Sequence, residues 1–455
     1  MHSGTARRNT IAASAIVTTA AARARIAPNT GPRVITRLRP HAGAIWLLAA
    51  TTIANVLGYG YQVVMARLLR PEDYAILIAL FGVLILESIS SQVIQSATAK
   101  LTAQYRARDD EAALHAFVRR WSVRVVIAVA ALAAAIALLS GPISSALALP
   151  TFTVVLLGVS LFFAGVLTFA LGLLQGLARF GWMGSVLIAQ AGMRLVLGIL
   201  LVTLGFGVGG AFIGATGAVG LSLVVAAVPL LGLLRAARGA SAIIELGASE
   251  TRFFVFAGIV LLAYAALTNV DAVLARSVLA PDQAGAYAGA VTLGKIVLFA
   301  PIAVGFLLLE RTSRAHARGE PTERALLLAL SFVLATSGAV ALAYVIAPAF
   351  FVGIVVGDQY PAAVAIAPLY GIAALANALL NLWISYFIGR GEMRVGLLLA
   401  VAVVAEVTLL LVAATDGVSV ARIVLGVAIA TQLAAIATFV FERTRERHAT
   451  ALTPR

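Results

Sequence analysis

Five charged residues sit deep within long apolar stretches: Glu87, Arg194, Asp271, Lys295 and Glu406. On insertion scales a charge at the centre of a membrane helix costs about 2.5–3.5 kcal/mol, so five facing lipid would cost on the order of 12–18 kcal/mol. They are therefore expected to face a bundle interior or a wet cavity. Arg194 and Lys295 suit an anion such as a phosphate, and Asp271, Glu87 and Glu406 are candidates for carrying a proton or sodium ion. For any one of the five the competing reading is a structural ion pair; five together point to at least one functional site.

Other chemistries lack their residues. Cysteine is absent, which removes thiol nucleophiles and thiolate metal sites. The five histidines, His2, His41, His115, His316 and His448, fall in tails or loops, away from any intramembrane metal site or general base. No GxxxxGK[ST] occurs, and the GxGxxG match from Gly205 to Gly210 has no preceding strand, so it reads as a turn between membrane helices. Neither a metal nor a cofactor is expected, and the chain is not expected to be an enzyme.

The elements that must position these charges follow from composition. Of 455 residues 62% are hydrophobic and 11% charged, with mean hydropathy +1.02; soluble domains hold roughly 45–50% apolar and about 25% charged residues. Apolar stretches near 42–66, 74–103, 123–139, 152–177, 183–204, 211–234, 253–275, 284–309, 325–347, 362–388, 395–414 and 418–441 each approach the roughly 20 residues needed to span a bilayer. Backbone groups in lipid must be satisfied within the segment, so the expected fold is all-α, with 12 transmembrane helices. Arg67, Arg70, Arg276 and Arg422 fall on one side, Lys100, Arg194 and Lys295 inside helices, and the rest of the 33 basic residues on the other side. The positive-inside rule then puts both termini in the cytoplasm. The net charge of +14 is a topology signal, not a nucleic-acid footprint.

The expected domains are a basic cytoplasmic tail (1–40), an N-terminal six-helix lobe (41–235), a cytoplasmic linker (236–252), a C-terminal six-helix lobe (253–441) and a cytoplasmic tail (442–455). The first tail, with seven arginines and no acid, reads as a disordered arm near anionic headgroups, with a signal peptide as the weaker alternative.

An internal repeat relates the lobes. Val64-Met65-Ala66-Arg67 followed by Pro71-Glu72-Asp73-Tyr74 returns as Val273-Leu274-Ala275-Arg276 followed by Pro281-Asp282 and Tyr287. Parallel repeats of this kind commonly bind substrate where the halves meet. Polar residues at helical spacing favour the corresponding spans: Thr51, Asn55, Tyr59 and Gln62; Glu87, Ser91, Gln95 and Thr98; Tyr264, Thr268 and Asp271; Thr292 and Lys295; with Asn377, Asn381 and Ser385 in the tenth. A single stripe reads as interhelical hydrogen bonding, whereas this set predicts a central cavity lined by both halves. By helical rise Asp271 and Lys295 fall within a lysine stem of each other, so they are expected to pair in one state and to separate when an anion competes.

The first span and its exit, Ala54-Asn55-Val56-Leu57-Gly58-Tyr59 through Ala66-Arg67-Leu68-Leu69-Arg70-Pro71-Glu72-Asp73-Tyr74, resemble the bacterial polysaccharide flippases of the multidrug/oligosaccharidyl-lipid/polysaccharide exporter superfamily. So do Asn269-Val270-Asp271, Ala275-Arg276, Pro281 to Tyr287 and Leu293-Gly294-Lys295, and Arg194 matches a frequent family arginine. The resemblance implies a MATE-like bundle of two six-helix lobes in the bacterial cytoplasmic membrane, alternating between inward-open and outward-open states. It implies movement of an isoprenoid-pyrophosphate-linked glycan to the outer leaflet, with glycosyltransferases and a polymerase as pathway partners. The substrate-binding set is then Lys295, Arg194, Asn55, Tyr59, Gln62 and Gln95, with Arg67 and Arg276 guarding the outer mouth. Related lipid II flippases carry arginines where this chain has Asn55 and Tyr61, which counts against a peptidoglycan precursor.

The alternatives are a cation-coupled multidrug exporter of the same fold, which would favour an acidic or aromatic cavity, and a membrane glycan polymerase or glycosyltransferase, which would need a larger outer loop than 348–361. Reporter fusions at Arg108, Arg238 and Arg318 are expected to read as cytoplasmic, and fusions at Ser144, Gly207 and Asp358 as external. A cytoplasmic reading at Asp358 would overturn the twelve-span topology.

Overall fold

The computed structural model describes residues 33–237, 248–317, 323–390, 392 and 394–451. The expected tail up to residue 32 and the expected linker between 238 and 247 lie outside the described residues. The chain divides into two units, Met1–Ile45 and Trp46–Arg455. In the first, the described part is the beginning of a helix; the second holds everything discussed below.

The elements are helices α1 (Arg33–Leu68), α2 (Pro71–Ala107), α3 (Glu111–Leu138), α4 (Ser140–Leu147), α5 (Thr151–Gly176), α6 (Phe180–Leu201), α7 (Gly207–Ala237), α8 (Ala248–Leu267), α9 (Val270–Val278), α10 (Pro281–Ala317), α11 (Glu323–Ile346), α12 (Pro348–Val355), α13 (Ala363–Arg390), α14 (Arg394–Ala413) and α15 (Gly417–Ala451). No strand occurs among the described residues. Among the described residues ten segments are long and apolar enough to cross a membrane, and one of them, Phe180–Ala237, contains both α6 and α7. With the 37-residue α10 outside that set, the arrangement is compatible with twelve spans. This is a multi-pass, all-helical membrane protein.

Local chemistry sets the helix boundaries. Pro71 opens α2 after an extended Arg70, since a proline at the first helical position gives up an N–H that has no partner there anyway. The Asp110 carboxylate accepts from Ala113 N at 2.9 Å and caps α3. Asp416 and Ser419 cap α15 reciprocally, Ser419 N donating to Asp416 Oδ1 at 2.7 Å and Asp416 N to Ser419 Oγ at 2.9 Å. Between α6 and α7 the chain passes through a π-turn to Gly205 (φ 91°) and Gly207 (φ 55°), conformations open to glycine and costly for other residues. The chain thus turns at Gly205, whereas Gly207 to Gly210, expected as part of the turn, already form the start of α7.

Two expectations need correction. The seventh span is not one helix: it breaks at Thr268 and Asn269 into α8 and α9, leaving Asp271 in the first turn of the second piece. Thr and Asn are capping residues whose side chains offer the backbone an alternative to the helical ladder, and Asn269 Nδ2 donates back to Ala265 O at 2.9 Å. The connections at 140–151 and 348–361 contain the short helices α4 and α12 rather than plain turns. These follow the third and ninth spans, corresponding places in the two repeats.

Packing divides by half. Helix α2 packs on α5, α5 on α3 and α7, and α6 on α7; beyond residue 248, α13 packs on α10, α11 and α15, and α14 on α8 and α15. Helix α2 also reaches across to α8, α9 and α10. The buried apolar side chains form one core shared by both halves, including Tyr61, Tyr74, Leu77, Phe212, Tyr287 and Tyr360. A second core draws on 114–237 alone and a third on 260–435 alone. The shared core lies at the C-terminal end of α1 and the N-terminal ends of α2 and α10; towards the other end of α1 each half has its own core.

Lipid tails are as apolar as leucine, so such helices are held by close packing rather than by hydrophobicity. Gly214 on α7 faces Gly198 on α6 so closely that a Cβ there would come within 2.7 Å of the Gly198 nitrogen. Gly214→Ala is expected to cost about 1–3 kcal/mol by overpacking, lowering thermal stability in detergent. Gly217→Ala, where the added carbon would meet only Leu197 Cδ1 at 3.8 Å, is expected to change it little.

Candidate functional site

Between the two halves, below the shared core, lies a cavity of about 480 Å³. Helix α1 contributes Asn55, Gly58, Tyr59 and Gln62, and α2 contributes Ile85, Ser88 and Gln92. Arg194 enters from α6, Lys295 from α10, Tyr264 from α8, Thr268 from the break that follows it, and Tyr370 and Asn381 from α13. Asn55, Ser88 and Gln92 are exposed. Two cations line this space and, among the described residues, no carboxylate does.

Each cation is held without being neutralised. Lys295 Nζ donates to Gln62 Oε1 at 3.1 Å, a hydrogen bond from the C-terminal half to the N-terminal half. The Arg194 guanidinium lies over the Tyr61 ring at 5.4 Å and the Phe81 ring at 5.7 Å. Tyr61 is itself fixed by donating to Ala211 O at 2.8 Å. Aromatic faces attract a cation while leaving its donors free, and Arg194 Nε has no partner.

The carboxylates lie elsewhere. Asp271 is 1% exposed and accepts a hydrogen bond from Tyr287 at 2.5 Å, while its Oδ1 has no partner. Tyr370 and, on α14, Glu406 are close enough to interact with Asp271. Glu406 is 1% exposed, with Oε1 unpartnered. The expected Lys295–Asp271 pair is therefore not formed here: a tyrosine holds the carboxyl and a glutamine holds the ammonium. Glu87 is outside the cavity, accepting from Ser91 one turn along α2.

Of the expected binding residues, Lys295, Arg194, Asn55, Tyr59 and Gln62 converge on the cavity. Gln95 does not line it: its Nε2 donates to Gln175 Oε1 on α5 at 3.0 Å. The stripe Glu87, Ser91, Gln95 and Thr98 runs beside a second ridge, Ile85, Ser88 and Gln92, and that second ridge faces the cavity. Sequence reasoning missed Ser88, Gln92 and Tyr370; the 3- and 4-residue spacing from Ile85 to Gln92 was the available signal. Arg276, in the last turn of α9, has a buried Nε without a partner and does not line the cavity.

Arg67 closes one end of the molecule. It donates to the carbonyl oxygens of Gly353 and Ile354 on α12. In return, Gln359 Nε2 donates to Ala66 O and to Leu69 O, the latter at 3.1 Å, and the Tyr360 hydroxyl to Ala66 O at 2.7 Å. Beneath this reciprocal latch the Tyr74 and Thr292 hydroxyls, one from each half, are 2.6 Å apart.

Residues 41–306, more than half the chain, match the family model described as polysaccharide biosynthesis protein. The chain belongs to the polysaccharide biosynthesis protein family. No curated protein matches this family member in sequence. Among solved structures it is similar to an inward-facing multidrug resistance MATE family transporter of the MOP superfamily, at 16% identity, 90% of this chain and 100% of that one covered, and TM-score 0.67. It is also similar to the lipid II flippase MurJ in an inward closed conformation, at 12% identity, 87% coverage of each chain and TM-score 0.64. A third is a MOP superfamily transporter from Pyrococcus furiosus, at 15% identity, 92% and 98% covered and TM-score 0.60; its reversed pocket polarity suggests a different function for that protein. This polysaccharide biosynthesis protein thus has the MATE/MurJ-like fold.

The family member has no native cysteine, which makes the latch directly testable. A Leu69→Cys/Gln359→Cys double variant is expected to be joined in membranes by a short bifunctional thiol reagent, read as a reagent-dependent shift in mobility after cleavage between the halves. Either single variant is expected to give none.

Proposed function

We propose that this protein is a flippase that moves a lipid-linked oligosaccharide, or a related exopolysaccharide precursor, across the bacterial cytoplasmic membrane by alternating access. The observation that carries the reading is the cavity wall, with Lys295 and Arg194 and no acid. A pyrophosphate-linked headgroup is anionic and bulky, and charge-assisted hydrogen bonds to phosphate are about twice as strong as neutral ones. Lys295 supplies a point charge and Arg194 a planar fork of donors. Asn55, Tyr59, Gln62 and Asn381 offer polar groups for sugar hydroxyls. A cation-coupled drug exporter would want the opposite polarity.

In this reading residues 41–235 and 253–441 are the two bodies that rock against each other. With both termini cytoplasmic, the latch of Arg67, Gln359 and Tyr360 seals the outer face while the separately cored ends admit substrate from inside. Arg67, and beyond it Arg276, guard the outer mouth. Asp271 and Glu406 are the ion-coupling groups: each has a buried oxygen without a partner, which a proton or sodium ion would satisfy. Glu87 is the reserve candidate in the N-terminal half. Glycosyltransferases supply the substrate and a polymerase consumes it.

The test is complementation of a deletion strain. Lipid-linked intermediates are expected to accumulate in the inner leaflet without the gene, and polymer to return with the wild type. Losing a charged hydrogen-bonding partner is worth about 1.5–3 kcal/mol, so Lys295→Ala is expected to lower transport roughly 10- to 100-fold at normal membrane levels. Lys295→Ala/Asp271→Asn is expected to stay as low; recovery to near wild type would return Lys295 to the scaffold. Polymer made without the gene would overturn the flippase reading.

A further inference from the structure

Cavity and carboxylate pair are separated by a thin wall, and one side chain belongs to both. Tyr370 of α13 lines the cavity alongside Lys295. Its ring stands edge-on to Tyr287 at 5.5 Å and 89°, and Tyr287 is the residue that donates to Asp271. Its own hydroxyl is close enough to the same carboxyl to interact with it. The ring also occupies the space in which a side chain at 294 would begin, since a Cβ built on Gly294 would fall on the Tyr370 ring edge. Gly294 is the residue before Lys295. Tyr370 therefore packs against the lysine's helix at Gly294 and against Tyr287, the residue that holds the buried carboxyl.

We infer that Tyr370 is the positioning residue that couples occupancy of the cationic cavity to the state of the Asp271–Glu406 pair. The inference rests on the anion-transport reading of the cavity and adds the contact through which it communicates. Core packing is close to that of a molecular crystal, so a ring wedged against Gly294 has no slack. Any displacement of α10 as Lys295 turns from Gln62 to an anion moves the ring, and with it the hydroxyl that faces Asp271. Conversely, a proton or sodium ion on Asp271 competes with the hydroxyl for the carboxylate oxygens and presses the ring towards α10. Coupling of this kind is reciprocal by thermodynamic necessity: each ligand must change the affinity of the other by the same factor.

The experiment measures inorganic pyrophosphate binding to the purified full-length protein by calorimetry, at two sodium concentrations and at two pH values. Wild type is expected to show a cation-dependent affinity, with a change of about 5- to 150-fold, the usual range of coupling between sites. Tyr370→Phe keeps the ring and removes the hydroxyl. It is expected to lose most of the cation dependence, read as the ratio of its own affinities across the conditions. Gly294→Ala, which displaces the ring and its hydroxyl while leaving Asp271, Lys295 and Tyr370 chemically unchanged, is expected to show the same loss. Thermal melts identify any variant that fails to fold, and Tyr370→Phe then decides alone. Unchanged cation dependence in folded Tyr370→Phe overturns the inference while leaving the anion site standing. Absence of pyrophosphate binding in wild type overturns the anion site and the inference together.

Discussion

A charge inside a lipid-bounded bundle must be given a surrounding by the protein itself, and the arrangement of this molecule follows from how it does so. The two deep cations and the two buried carboxyls are not paired with one another. Lys295 is held by the neutral Gln62 and Arg194 by the faces of Tyr61 and Phe81, so both keep their charge for whatever enters the cavity. Asp271 and Glu406 lie behind Tyr287 and Tyr370. Ion pairs would have satisfied all four groups and left nothing for a ligand to do. Segregation by sign leaves a cationic cavity and a buried acidic pair, with tyrosine beside both.

Much of this was legible in the sequence because membrane physics is severe. Apolar runs of spanning length admit one secondary structure, and charges within them admit few locations, so the helices, the interior placement of all five charges and the contribution of α1, α8, α10 and α13 to one cavity could be read directly. Limits arose where two neighbouring ridges of one helix were both polar. In α2, Gln95 and Gln92 differ by three positions; the first meets Gln175 and the second faces the cavity, a choice made by tertiary packing. The Lys295–Asp271 pairing failed for a related reason. Helical rise gives depth but not azimuth, and it could not reveal that Tyr287 and Gln62 would reach the two groups first.

The break of the seventh span was the least expected feature and bears most directly on the site. Thr268 and Asn269 read as one more polar step in a stripe, yet they end α8 and let α9 begin at Val270. Asp271 thereby sits in the first turn of a short helix, where backbone N–H groups lack intrahelical acceptors. Discontinuous membrane helices recur at ion and substrate sites for that reason. A pair of capping residues in mid-span was the clue.

The latch at the closed end has an energetic scale. Its five contacts, two from Arg67, two from Gln359 and one from Tyr360, all end on main-chain carbonyls near the exposed Arg67. Water can take over such acceptors once they part, so each neutral contact contributes only about 0.5–1.5 kcal/mol net and each from Arg67 about 1.5–3, the set about 5–10 kcal/mol. Moving one elementary charge through 100 mV supplies about 2.3 kcal/mol. A seal of this construction is thus matched by the work of about two to four elementary charges crossing 100 mV.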